Sequence, residues 1–124
     1  MGLSDESKAR ALRAITQGPL TIGLARERRG DGLVEERDPS YARQPISFGS
    51  PRDDGVRWVT ENAERVEFRY AADADGVVRY WFVTDADGGI VADGDLVPVR
   101  EAINPLAGTS VVLMPGDVTI TLEV

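Results

Sequence analysis

The sequence predicts a mainly β protein: a single antiparallel β-sandwich, jelly-roll-like with about seven or eight strands, preceded by a short N-terminal α-helix. Three observations carry this expectation. Short segments alternate apolar and polar residues with the period of a strand, Asp-Gly and Pro-Gly turns separate them, and a helical period occurs only at the N-terminus. With 124 residues the chain should form one domain that buries roughly two-thirds of its unfolded surface. Residues 1–17 are expected to be a helical docking element and residues 18–124 the sandwich.

Ser4 is a good N-cap, and Asp5 and Glu6 follow where carboxylates favour the positive end of a helix. Ala9, Ala11, Leu12, Ala14 and Ile15 form a narrow apolar stripe that Gly18-Pro19 ends. A helix this short is marginal alone, so it must dock on its own sandwich or on a neighbouring protein. Leu12 and Ile15 are the expected contacts.

Leu20-Thr21-Ile22-Gly23-Leu24 reads as the first half-buried strand. Ala25 to Pro39 is dominated by charge and predicts a long exposed loop, with Arg26, Arg28 and Arg29 as candidate partner contacts. Ser40 to Gly49, with Tyr41 and Arg43 as further candidate contacts, leads back into the sandwich. Val56, Trp58 and Thr60 alternate after a turn-forming stretch.

Glu64 to Tyr70 alternates strictly, so Val66, Phe68 and Tyr70 should face the core while Arg65, Glu67 and Arg69 face water. Val77 to Thr84 is apolar on both parities and should be covered on both faces, by the core inside and by the helix or a neighbour outside. Ile90-Val91 with Leu96-Val97 suggest an irregular edge piece, because Pro98 disfavours a central position. Thr109 to Met114, Pro115-Gly116-Asp117 and Val118 to Val124 predict a terminal hairpin.

Composition narrows the chemistry. Lys and Arg total 14 against 21 acids. An acidic surface repels phosphate backbones, so nucleic acid is not an expected ligand. No apolar run approaches the roughly 18 residues that a transmembrane helix needs, so no membrane partner is expected either. Residues Met1 to Lys8 lack the basic and apolar regions of a secretory signal, and export by that route is not expected. Without cysteine there is neither a disulfide framework nor a thiolate metal site.

The chain has no histidine, which removes the usual general base, the common zinc ligand and the Ser-His nucleophile pair. Carboxylates remain, in Asp73-Ala74-Asp75-Gly76, Asp85-Ala86-Asp87-Gly88-Gly89 and Asp93-Gly94-Asp95. Asp85, Asp87, Asp93 and Asp95 could offer oxygen ligands to calcium, but their spacing does not match an EF-hand, and Asp-Gly pairs commonly just close hairpins. Neither a bound cofactor nor an enzyme activity is therefore expected. A glycosidase needs two acids across a sugar-sized cleft, whereas the acids here fall in turns or on solvent parity. Trp58, Tyr70, Tyr80 and Trp81 could form a sugar-stacking platform; core positions suit Tyr70, Tyr80 and Phe82 better, leaving Trp81 as the candidate contact aromatic.

Four segments in order, Met1-Gly2-Leu3-Ser4-Asp5 with its helix, Leu20 to Leu24, Tyr41-Ala42-Arg43-Gln44-Pro45-Ile46-Ser47-Phe48-Gly49, and Met114-Pro115-Gly116-Asp117-Val118-Thr119-Ile120-Thr121-Leu122, give the chain a resemblance. It resembles small tail-fibre or minor-tail virion proteins of tailed bacteriophages infecting high-GC Gram-positive hosts. That resemblance implies a non-enzymatic structural protein of the virion, made in the host cytoplasm and assembled on the particle as a minor tail, fibre or capsid-decoration component. Its partners would be major capsid or tail proteins and further copies of itself, with a trimer as one expected homo-oligomer. The charged segment Arg26 to Asp38 departs from the family pattern. A carbohydrate-binding module for host-surface recognition, centred on Trp81, is the alternative.

Overall fold

The computed structural model describes residues 4–30, 32–71, 77–96 and 105–122. The chain is mainly β, with ten strands in antiparallel sheets and one helix among the described residues. Most strands are shorter than the sequence predicts, and the charged segment, expected as a loop, is itself largely β structure.

Helix α1 spans Asp5–Thr16, and the Ser4 hydroxyl accepts from the Ser7 N–H at 3.2 Å. Gly18, at φ +84°, turns the chain out of the helix into the first strand. Strand β1, Leu20–Arg29, then runs five residues beyond the expected strand end at Leu24 and pairs with β2, Gly32–Glu35. The expected exposed loop is thus largely a hairpin, with a bulge between Ala25 and Glu27. Its charges pair: Arg29 with Glu27 and Arg28 with Asp93 at the surface, and Arg26 with the buried Glu36.

Strands β3, Gln44–Ile46, β7, Tyr80–Thr84, and β8, Ile90–Asp95, complete this five-stranded sheet, ordered β2-β1-β7-β8 with β3 beside β1. Strand β8 lies at the edge, as its irregular sequence suggests. A second sheet orders β10, Thr119–Leu122, β5, Trp58–Glu61, and β4, Arg52–Asp53; a third pairs β6, Val66–Arg69, with β9, Ser110–Leu113.

The main core lies between the five-stranded sheet and the β6-β9 pair. Leu20, Ile22, Leu24, Trp81 and Val83 from one layer meet Val66, Phe68, Val111 and Leu113 from the other. Burying one face of each sheet explains the strict alternation of β6: Val66, Phe68 and Tyr70 are buried while Arg65 and Arg69 are exposed.

The expected terminal hairpin does not form. Strands β9 and β10 flank the Pro115-Gly116-Asp117 turn but join different sheets, β9 pairing with β6 and β10 with β5. The buried Asn62 side chain explains the divergence. Its Oδ1 accepts from the N–H groups of Gly116 and Val118, and its Nδ2 donates to the carbonyls of Met114 and Glu64. All four bonding positions of one amide are satisfied, so Asn62 ties the turn, which the Asp117 N–H closes on the Met114 carbonyl, to the end of β5.

The helix lies against β5 and β10. Its apolar stripe is used within the chain: Leu12 is fully buried and Ala9 nearly so. The outer face of β7 is therefore covered by something other than the helix.

Candidate functional site

The outer face of the five-stranded sheet carries most of the distinctive polar chemistry. Opposite the core-facing Ile22-Val83 and Leu24-Trp81 pairs, register places Thr21 beside Thr84, Gly23 beside Phe82 and Ala25 beside Tyr80. The Thr21 and Thr84 hydroxyls bond at 2.6 Å. Phe82 and Tyr80 are roofed by cations: the Arg43 guanidinium lies 5.1 Å from the Phe82 centroid, and Arg28 lies 4.9 Å from that of Tyr80. This is the outer cover that the two-sided apolar pattern of β7 requires. Tyr80, expected in the core, is half-buried beneath Arg28.

Glu35 organises the cluster. Arg43 approaches it with two nitrogens, each at 2.9 Å, and the Tyr41 hydroxyl donates to it at 2.7 Å. Burial pushes the Glu35 carboxyl up, but the bonds from Arg43 and Tyr41 outweigh it and hold the group below the ordinary carboxylate range. Burial, then the bond to Glu35, pushes the Tyr41 phenol well above its ordinary range, so it remains a protonated donor.

The same hydroxyl has a second task. Strand β1 pairs with β3 over Leu20 to Ile22 and with β2 from Ala25 onward, leaving a gap at Leu24. There the Leu24 N–H donates to the Tyr41 oxygen at 3.0 Å, and the Leu24 carbonyl accepts from the Glu36 N–H at 2.9 Å. Tyr41 thus completes a sheet ladder with its side chain while its ring stacks on Phe68, centroids 6.0 Å apart.

Glu36, only 3 % exposed, receives Arg26, the Tyr70 hydroxyl at 2.9 Å and the N–H groups of Arg37 and Asp38. Burial, followed by the bond to Glu36, pushes the Tyr70 phenol up as well. A buried carboxylate with this many donors is a structural anchor. Sequence reasoning missed Glu35, Glu36 and Asn62. A signal for the first two existed: basic Arg26 to Arg29 and acidic Glu35-Glu36 flank a Gly-Asp-Gly turn, the charge pattern of a hairpin.

Of the expected partner contacts, Arg28, Arg29 and Arg43 lie on the surface, each in an ion pair. Arg26 and Tyr41 are partly buried and hold the fold. Ile15 is half-buried on the helix. Two expectations are corrected. Leu12 is buried within the chain, and Trp81, 5 % exposed, belongs to the core because β7 turns its odd-numbered residues inward. Gly94 seats the indole, since a Cβ there would lie 2.5 Å from it.

The expected calcium ligands do not converge. Asp85 closes its own turn by accepting from the N–H groups of Asp87 and Gly89, and Asp93 is taken by Arg28. Among the described residues no three acidic groups come together as a metal site. Asp73, Asp75, Val97 and Pro98 lie outside the described residues.

Small cavities open among the described residues. One of about 130 Å³ opens between Leu33, Glu35, Arg43, Phe82 and Ile90, and one of about 170 Å³ between the β3 segment and Glu64 to Val66. A larger one, about 350 Å³, lies between the last turn of α1 and the Phe48 to Pro51 segment. No known protein family, curated protein or solved structure matches the chain.

Proposed function

We propose that this chain is a non-enzymatic structural component of a tailed-bacteriophage particle, of the minor-tail, fibre or capsid-decoration type. The observation that carries the reading is the use made of the polar side chains: Glu35, Glu36, Tyr41, Tyr70, Arg26, Arg43 and Asn62 bond to one another or to backbone, and so hold the fold together. Catalytic acids and bases need open reach to a substrate. An ion-paired body on a chain of net charge −7 suits a part that is held in a lattice of other proteins. The resemblance of the helix opening, the Tyr41 to Gly49 segment and the Met114 to Leu122 segment to virion proteins points the same way.

Self-association into a closed ring fits this role, and the outer face of the five-stranded sheet, with Arg28 and Arg43, is the surface we assign to neighbouring subunits or virion proteins. The carbohydrate-binding alternative loses its central residue, because Trp81 is buried. Quantitative mass spectrometry of gradient-purified particles tests the assignment. The chain should co-sediment with the particle at a copy number that is a multiple of the local symmetry; its absence from infectious particles would refute the assignment.

A further inference from the structure

The 350 Å³ cavity sits at the seam between helix α1 and the rest of the chain. One wall is the helix end, with Arg13, Thr16 and Gln17; the other is Phe48, Gly49, Ser50 and Pro51. The second wall is firmly built. Phe48 packs against the main core and bridges to Asn62, the Gly49 N–H donates to the Glu61 carbonyl at 2.8 Å, and the buried Thr60 hydroxyl donates to the Gly49 carbonyl at 2.7 Å. A preformed wall spares a ligand the entropy of ordering it.

Among the residues lining the cavity, Arg13 alone is charged. Arg10, Arg26, Arg28, Arg29, Arg43 and Arg52 each have an acid beside them; among the described residues Arg13, like Arg37 and Arg79, has none, in a chain of net charge −7. A guanidinium without an ion pair among the described residues thus shares the cavity lining with an aromatic ring and a proline, a cationic spot on an acidic molecule. The planar fork of a guanidinium fits a carboxylate with two parallel bonds, and Phe48 with Pro51 offers apolar contact beside it. Ser50 and Gln17 add polar groups at the rim.

We infer that this cavity is a docking site for an acidic peptide segment of a partner protein, one that presents a carboxylate to Arg13 and an adjacent apolar side chain to Phe48 and Pro51. The inference deepens the assembly role proposed above and rests on it. It also puts attachment at the polar C-terminal end of the helix, since the helix's apolar stripe is already used inside the chain. Charge complementarity selects the carboxylate, and the mixed lining selects a short peptide group over a bare anion.

Titration of the full-length 15N-labelled chain with N-acetyl-L-leucine provides the test, with N-acetyl-L-leucinamide and glucuronate as comparisons. The carboxylate should give saturable shifts at the amides of Thr16, Gln17, Gly49 and Ser50. The amide analogue, and the Arg13→Gln variant titrated with the carboxylate, should each bind at least about tenfold more weakly. Arg13 is exposed, so the variant should keep the wild-type spectrum away from the cavity. Equal responses to the acid and the amide, an unchanged response in Arg13→Gln, or tighter binding of glucuronate would each overturn the inference. Because this titration uses the isolated chain, its failure would leave mass spectrometry of purified particles as an independent test of the assembly role.

Discussion

A single hydroxyl, that of Tyr41, does what two different strands fail to do at Leu24. It accepts the orphaned N–H of β1 and donates to Glu35, while Gly23 leaves room for it: a Cβ at Gly23 would lie 2.7 Å from the hydroxyl and closer still to the Phe82 ring. Tyr41→Phe removes the acceptor without changing packing and should cost about 1–3 kcal/mol, read from urea unfolding. Gly23→Ala forces the phenylalanine and the tyrosine apart and should cost about 1–3 kcal/mol by the same measurement. Glu35 makes the cluster sensitive to acid. Its folded-state value is depressed, so the stability it contributes is present above the ordinary carboxylate range and is lost as pH falls through the folded value. The stability gap between wild type and Arg43→Gln should therefore narrow as pH drops below about 4, and a gap that stays constant on acidification from neutral pH would contradict the assignment. The sequence pointed to Tyr41 and Arg43 as residues of interest, but their partner Glu35 was hidden in a run of charges that read as solvent-exposed.

Among the elements, legibility followed the range of the interactions. The alternation in Val66, Phe68 and Tyr70 and the cap at Ser4 depend on neighbours in sequence or on one buried face, and both were readable. The β1-β2 hairpin was not, because apolar periodicity fades after Ala25 and the stabilising pairs reach far along the chain. Arg28 finds Asp93, and Glu36 finds Tyr70. The divergence of β9 and β10 was equally invisible, since Asn62 acts across more than fifty residues of sequence on the Gly116 and Val118 amides. Trp81 was misplaced for a simpler reason: a strand covered on both faces gives no parity signal to say which side is the core. The helix is an integral part of the fold. Leu12→Ala should cost about 2–5 kcal/mol, measured by thermal or urea unfolding, because it opens a cavity where α1 meets β5 and β10. An effect below about 0.5 kcal/mol would mean that the helix docks elsewhere.

For the whole molecule, the sequence was sufficient for a mainly β, antiparallel fold and for the rejection of histidine and thiolate chemistry. The outer face of the five-stranded sheet emerged only from the register, which sets two cation-roofed aromatics over strand β7. Ion pairs, a charged hairpin and a helix docked on β5 and β10 make an acidic body with a small cationic cavity at one seam, properties that fit a part built into a larger assembly. The central claim is that this body is a virion component, and a cryo-EM reconstruction of the intact phage particle tests it most directly. Density for the five-stranded sheet and helix α1 is expected at symmetry-related positions on the tail or capsid surface. A fully assigned map of infectious particles with no density for this chain would contradict it.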